Sequence, residues 1–208
     1  MRSKSLLFAS IAIAGSGLLF ASAAAAQTTG TITVTGTVGA SCTVTGTSGA
    51  TTFADTISLG ELDSVTPTTG PVGTLSTTLS NSTQGSPFTA ASKSYQVTCN
   101  SGNPTLDVKA TRLSLPGATL EAGYSGNIDY STDVIAAKAG GGTTTATYTT
   151  AATLPSDTIK VVGDRLANAP GNLVVHLYGF AAENGASSLL DSGSTWASTI
   201  TIKISPTS

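Results

Sequence analysis

Charge is scarce in this sequence. Only 10% of its 208 residues are Asp, Glu, Lys or Arg, where a soluble domain usually carries about 25%. The 9 basic residues do not outnumber the 11 acidic ones, which excludes recognition of nucleic acid through a basic face. Aromatic residues make up 5%, and Trp196, Tyr124, Tyr130, Tyr148 and Tyr178 are too scattered to form an obvious sugar-stacking platform. There is one histidine and there are two cysteines, too few for a closed zinc site. With acid, base and nucleophile candidates wanting, the sequence reads as non-enzymatic, with no metal and no cofactor. A helical bundle would be rich in Ala, Glu, Lys, Leu and Arg. This chain is filled instead by Thr (37), Ser (27) and Gly (23). Thr favours strands, and Ser and Gly favour turns. The composition predicts an exported all-β protein.

The first 26 residues have the layout of a secretory signal peptide. Arg2 and Lys4 precede a mostly apolar stretch over residues 6–20, and a small-residue run ends in Ala24-Ala25-Ala26. That order of positive, apolar and A-x-A segments is the one signal peptidase removes. Later in the chain nothing approaches the roughly 20 apolar residues that span a bilayer, so no membrane span is expected after cleavage. Removal takes two basic residues and leaves 7 against 11 acidic ones. The domain reading is residues 1–26 as signal, 27–41 as an N-terminal extension and 42–208 as one β domain. Export also decides the cysteines. Cys42 and Cys99 are a lone pair bound for an oxidising compartment, and such a pair predicts a disulfide.

Period-two alternation marks the strands. Residues 31–38 place Ile32, Val34, Gly36 and Val38 on one side and threonines on the other. Extended chain resumes at 42–45. Weaker candidates lie at 53–59 and 74–79. Tyr95, Val97 and Cys99 share a face in 94–99, and Leu106, Val108 and Ala110 share one in 105–111. The turn signal of residues 100–104 joins these two runs as a hairpin. Further candidates are 113–120, 127–130, 133–137, 143–150 and 158–162. Residues 172–180 read as a central strand, and 197–204 closes the chain through Ile200, Ile202 and Ile204. The expected core is Val44, Tyr95, Val97, Leu106, Val108, Leu173, Val175, Leu177, Ile200 and Ile202. The picture is a β-sandwich of eight to ten short strands.

Remaining motifs are weak. His176 reads as a structural strand residue. Gly140-Gly141-Gly142 lacks the Lys and Ser/Thr of a phosphate loop. The acidic residues Asp55, Glu61 and Asp63, and the pair Asp129 and Asp133, read as solvated turns. Asn81-Ser82-Thr83 matches a glycosylation sequon.

The specific signal is at the N-terminus of the exported chain. The row Ile32, Val34, Gly36, Val38, followed by Cys42, resembles the N-terminal extension of chaperone–usher pilus subunits, in which a glycine interrupts an apolar row shortly before the first cysteine. Residues 95–102 (Tyr-Gln-Val-Thr-Cys-Asn-Ser-Gly) resemble the second-cysteine strand of the spore coat protein U branch of that superfamily. Residues 190–202 resemble its closing turn and last strand. The resemblance implies an immunoglobulin-like pilin sandwich that lacks one strand, completed by a neighbouring copy whose residues Ile32, Val34, Gly36 and Val38 enter its groove. It implies a structural subunit of a surface fimbria or pilus that supports adhesion or biofilm formation. Its partners would be further copies of itself or related subunits, a periplasmic chaperone and an outer-membrane usher. It would pass through the periplasm to the cell surface or be secreted. The alternative from the same residues is a monomeric, secreted or surface-attached β-sandwich that binds carbohydrate or another surface.

Overall fold

The structure is a computed structural model and describes residues 35–45, 54–64, 72–117, 120–192 and 195–207. The expected signal peptide, and Ile32 and Val34 of the alternating row, lie outside the described residues. The chain divides into two compact units, residues 1–37 and 38–208. All the strands among the described residues belong to the second. They are β1 (Cys42–Thr45), β2 (Ser92–Cys99), β3 (Thr105–Ala110), β4 (Leu113–Ser114), β5 (Tyr124–Ser125), β6 (Asn127–Ala137), β7 (Thr143–Thr149), β8 (Thr158–Val161), β9 (Leu173–Ala182), β10 (Leu189–Leu190) and β11 (Ile200–Ser205). Among the described residues, one short helix, α1 (Thr77–Ser80), and a 3₁₀ turn (Thr89–Ala91) precede β2. The protein is all-β, as its composition predicts.

Two antiparallel sheets carry the fold. The larger has six strands in the order β1-β2-β9-β6-β4, with β7 also paired to β6; the smaller runs β11-β3-β8. A parallel pair, β10-β5, lies apart from both. The residues that alternate in sequence alternate in burial. Leu106, Val108 and Ala110 of β3 and Leu173, Val175 and Leu177 of β9 are buried. They join Val44, Val97, Val134 and the large rings of Tyr130, Tyr148 and Phe180 in one core cluster. Tyr130 and Phe180 stack with ring centroids 5.6 Å apart. Tyr95, Ile200 and Ile202, expected in the core, are only half-buried at its margin.

Three segments differ from the sequence reading. Residues 127–130 and 133–137 form one strand of 11 residues, β6, because buried Thr132 keeps the core-facing row going between Tyr130 and Val134. Residues 74–79 are not a strand. Leu75 and Leu79 sit one helical turn apart, both are buried, and the Ser76 hydroxyl accepts from the Thr78 N–H at 3.3 Å, so the chain takes a capped turn of helix instead. The run from 113 to 120 keeps only β4 as strand, since Pro116 removes a ladder donor and Gly117 takes a left-handed φ of 75°.

β9 carries the one bulge that needs a glycine. Asp129 pairs with Ala181 but Ser131 pairs with Tyr178, so β9 holds one residue more than β6 between those points. Gly179 absorbs the extra residue with φ 65°, a region closed to most side chains. Its N–H is received by the Ser82 carbonyl at 3.0 Å and the Ser82 hydroxyl at 3.1 Å. Ser82, the middle residue of the sequon, is therefore a buried fastener of the loop after α1, while Asn81 and Thr83 are exposed.

Candidate functional site

The first half of the expected interface is the N-terminal segment. Of its row, Gly36 and Val38 are described. Residues 35–41 belong to no strand, and Val38 is 87% exposed. The domain begins in earnest at the disulfide. Cys42 and Cys99 are direct partners in the β1–β2 ladder, bonded to each other with Cα atoms 4.1 Å apart. Just outside it, Asn100 holds the incoming chain three times. Its backbone N–H donates to the Ser41 carbonyl at 3.1 Å. Its side-chain oxygen accepts from the Ser41 N–H at 2.7 Å, and its side-chain nitrogen donates to the Gly39 carbonyl at 2.7 Å. The amide side chain thus stands in for a peptide group and carries the ladder past the cysteines.

The second half is the flank where a further strand could be received. At one side of the sheets, β7 and β8 lie together: the Thr158 hydroxyl donates to the Thr147 carbonyl at 3.0 Å and the Thr144 hydroxyl to the Val162 carbonyl at 2.7 Å. β1 is an edge strand of the larger sheet and β11 an edge strand of the smaller. β1 pairs only with β2 and β11 only with β3 among the described residues. Exposure registers the difference. In β3, flanked on both edges, Leu106 and Val108 are each 0% exposed. Ile200, Ile202 and Ile204 of β11, opposite Ala110, Val108 and Leu106 in the same ladder, remain half-buried. An edge strand with apolar residues and open backbone groups is a template for another strand.

Residues 54–62 lie against the domain. Ile57, Leu59 and Leu62 pack against the core cluster. Asp55 fixes the start of that segment to β2, accepting from the Tyr95 hydroxyl at 3.2 Å and pairing with Lys93 at 3.4 Å. The Thr56 N–H, then the Lys93 charge, hold the Asp55 carboxyl below its usual range. Desolvation, reinforced by the Asp55 charge, pushes Tyr95 up to about 12.

Two polar clusters sit on other faces. Arg112 grips Asp129 with two nitrogens at 2.7 and 2.8 Å and Glu183 with a third at 2.7 Å. That contact, helped by Asn127, lowers the Glu183 carboxyl. Buried Asp133 accepts from Thr147, Tyr178 and Gln84. Its oxygens are committed to tying the loop of residues 82–88 to the sheet, and His176 stands across from it in the ladder. Both clusters read as braces.

No protein-family model, no curated protein and no solved structure matches the chain. The disulfide expected from export joins Cys42 to Cys99. Ile32 and Val34 lie outside the described residues, so the row of four is not seen entire. Sequence reading placed Asn100 only in a turn and Asp55 in a solvated cluster. An amide side chain directly after a strand cysteine was the available signal for the first; nothing local signalled the second.

Proposed function

We propose that this protein is a structural fimbrial subunit that polymerises by strand donation. Residues 27–38 of one copy would enter the flank between β1 and β11 of the next, with Ile32, Val34 and Val38 seated and Gly36 at a shallow point of the groove. In this reading the two sheets are an incomplete immunoglobulin-like sandwich, and a periplasmic chaperone and an outer-membrane usher handle the subunit before assembly. The observation that carries it is β11: three half-buried isoleucines on a strand whose second edge has no partner among the described residues. An added strand would supply main-chain hydrogen bonds along that edge and set alternate side chains against the isoleucines. Because donor and acceptor are different surfaces, the contact is heterologous and runs on into a filament.

The test is electrophoresis of the exported chain without boiling. A ladder of non-covalent oligomers is expected, and Gly36→Arg should abolish it while leaving soluble subunit, because seating that charge unpaired in an apolar groove is costly. A parent protein that stays monomeric at high concentration refutes the proposal.

A further inference from the structure

Between α1 and the 3₁₀ turn the surface opens into a cavity of about 260 Å³. α1 and its exit contribute Thr78, Asn81 and Ser82 to the lining, and the loop into the 3₁₀ turn contributes Ser86, Pro87, Phe88 and Thr89. The volume lies just under the roughly 300–1,000 Å³ of drug-sized ligand sites. It suits one compact ring with its substituents.

The lining is held from several directions. Ser76 caps α1 through the Thr78 N–H at 3.3 Å. Ser82 is pinned to β9, its carbonyl and hydroxyl both accepting from the Gly179 N–H. Thr83 and Ser86 exchange two main-chain hydrogen bonds, each 3.0 Å, which closes the turn between the two parts of the lining. Gln84 in that turn donates to buried Asp133 at 2.8 Å. The Phe88 N–H donates to the Leu177 carbonyl at 3.2 Å. A site framed in this way exists before a ligand arrives and loses little to ordering when one binds.

Polar groups are left over inside that frame. The side chains of Thr78, Asn81, Ser86 and Thr89 are exposed and make no hydrogen bond to the described residues. Three hydroxyls and an amide both donate and accept. No lining residue is ionisable, so a charged ligand would leave water with nothing to pair against. Phe88 supplies the one aromatic ring of the lining. It is half-buried, packed in part on the core cluster, and the negative face of such a ring attracts the hydrogens of a C–H surface. We infer that this cavity binds a neutral sugar ring, its C–H face on Phe88 and its hydroxyls exchanging hydrogen bonds with Asn81, Thr78, Ser86 and Thr89. A ligand this small binds in the millimolar range. The inference does not rest on strand donation; where subunits polymerise, the filament repeats a weak site and gains by avidity.

The experiment is saturation-transfer NMR on the exported chain, produced in a host without asparagine glycosylation because Asn81 is also the sequon asparagine. The probes are glucose, galactose, mannose and N-acetylglucosamine, with their methyl glycosides, each up to about 100 mM, and glucuronic acid as the charged control. At least one neutral sugar is expected to bind, and glucuronic acid no better than glucose. Binding of the methyl glycoside as well assigns the end unit of a glycan chain; binding of the free sugar alone assigns a free monosaccharide. Asn81→Ala should weaken binding about fivefold with the melting temperature unmoved, since that side chain has no partner to lose among the described residues. Phe88→Leu should weaken binding further while keeping an apolar contact with the core. Thr98→Ala, at an exposed position of β2, should change nothing. Silence from every neutral sugar, tighter binding of glucuronic acid, or binding indifferent to both Asn81→Ala and Phe88→Leu overturns the inference. Should Phe88→Leu fail to melt cooperatively, Asn81→Ala alone decides.

Discussion

Asn172 offers the sharpest test of how this fold is held. It lies 2% exposed at the start of β9, where pairing between β2 and β9 ends at Tyr95 and Leu173. Its side-chain oxygen accepts from the Val97 N–H at 2.7 Å. Its nitrogen donates to the Val97 carbonyl at 2.6 Å and to the Ala167 carbonyl at 2.5 Å. Asn172→Ala strips three main-chain groups of their partners, the two of Val97 in the interior and the Ala167 carbonyl in a half-buried place. Each buried polar group left unpaired costs about 1–3 kcal/mol; allowing for water reaching one carbonyl, the loss should be about 3–5 kcal/mol. Asn172→Asp is more telling. It keeps the acceptor for Val97 but turns the donor into a second acceptor that faces two carbonyls. Burial and those carbonyls raise the introduced carboxyl above its unfolded value of about 3.9. The native state then holds a proton that the unfolded chain has lost, so this variant must lose stability as pH rises between those two values and recover it in acid. The assay is equilibrium urea unfolding of the exported chain, followed by far-ultraviolet circular dichroism and by the fluorescence of Trp196, the single tryptophan. An Asn172→Ala protein within 1 kcal/mol of the parent, or an Asn172→Asp protein whose deficit relative to the parent grows on acidification, would refute the reasoning.

Four further outcomes are expected. Gly179→Ala forces a side chain into φ 65° and should cost about 1–2 kcal/mol, read as a lowered melting temperature, whereas Gly85→Ala, where an added Cβ meets nothing within 4 Å, should leave it unmoved. Replacing Cys42 and Cys99 together by Ala opens a loop of sequence separation 57, for which chain entropy assigns about 4 kcal/mol; thiol titration of the denatured, unreduced parent should find no free thiol. Spectrophotometric titration should show Tyr95 and Tyr130 ionising at about 12, both chiefly through desolvation. Since their folded values lie above the unfolded 10.0, the stability they contribute is whole below pH 10 and drains away as pH climbs toward 12; Tyr95→Phe should remove one late-titrating group, and a loss of phenolate absorbance near pH 10 instead would refute the shift.

Strand placement was legible wherever one face met the core and the other met water. The alternation in β2, β3, β9 and β11 could be read directly, and the cysteine pair followed from export. What failed to show was any contact whose reason lies elsewhere in the chain. Residues 74–79 have the composition of a strand, and only the spacing of Leu75 and Leu79 behind Ser76 betrays the helical turn. Ile200 and Ile202 look like core residues because periodicity reports the face of a strand and says nothing of its edge. Their half-exposure is a property of sheet order, which no local pattern encodes. Asn100 and Asn172 each replace a peptide group across 59 and 75 positions of sequence, a role that asparagine in a turn does not announce.

The two ends of the domain are moored within a few residues of each other. Cys42 is bonded to Cys99, and Ser101 holds Thr207 through its hydroxyl, donating to the Thr207 carbonyl at 2.9 Å and accepting from its N–H at 3.0 Å. Tension applied between residue 38 and the C-terminus therefore enters and leaves at the β2–β3 turn. Everything between Cys42 and Cys99, including α1 and most of β2, is a covalent side loop that carries none of it. If the sheets were pulled apart, the chain would still be short of its full contour by a separation of 57 residues, about 200 Å at full extension. The domain therefore yields under load by a limited length, and in force spectroscopy its unfolding step should grow by about 200 Å when the cystine is reduced.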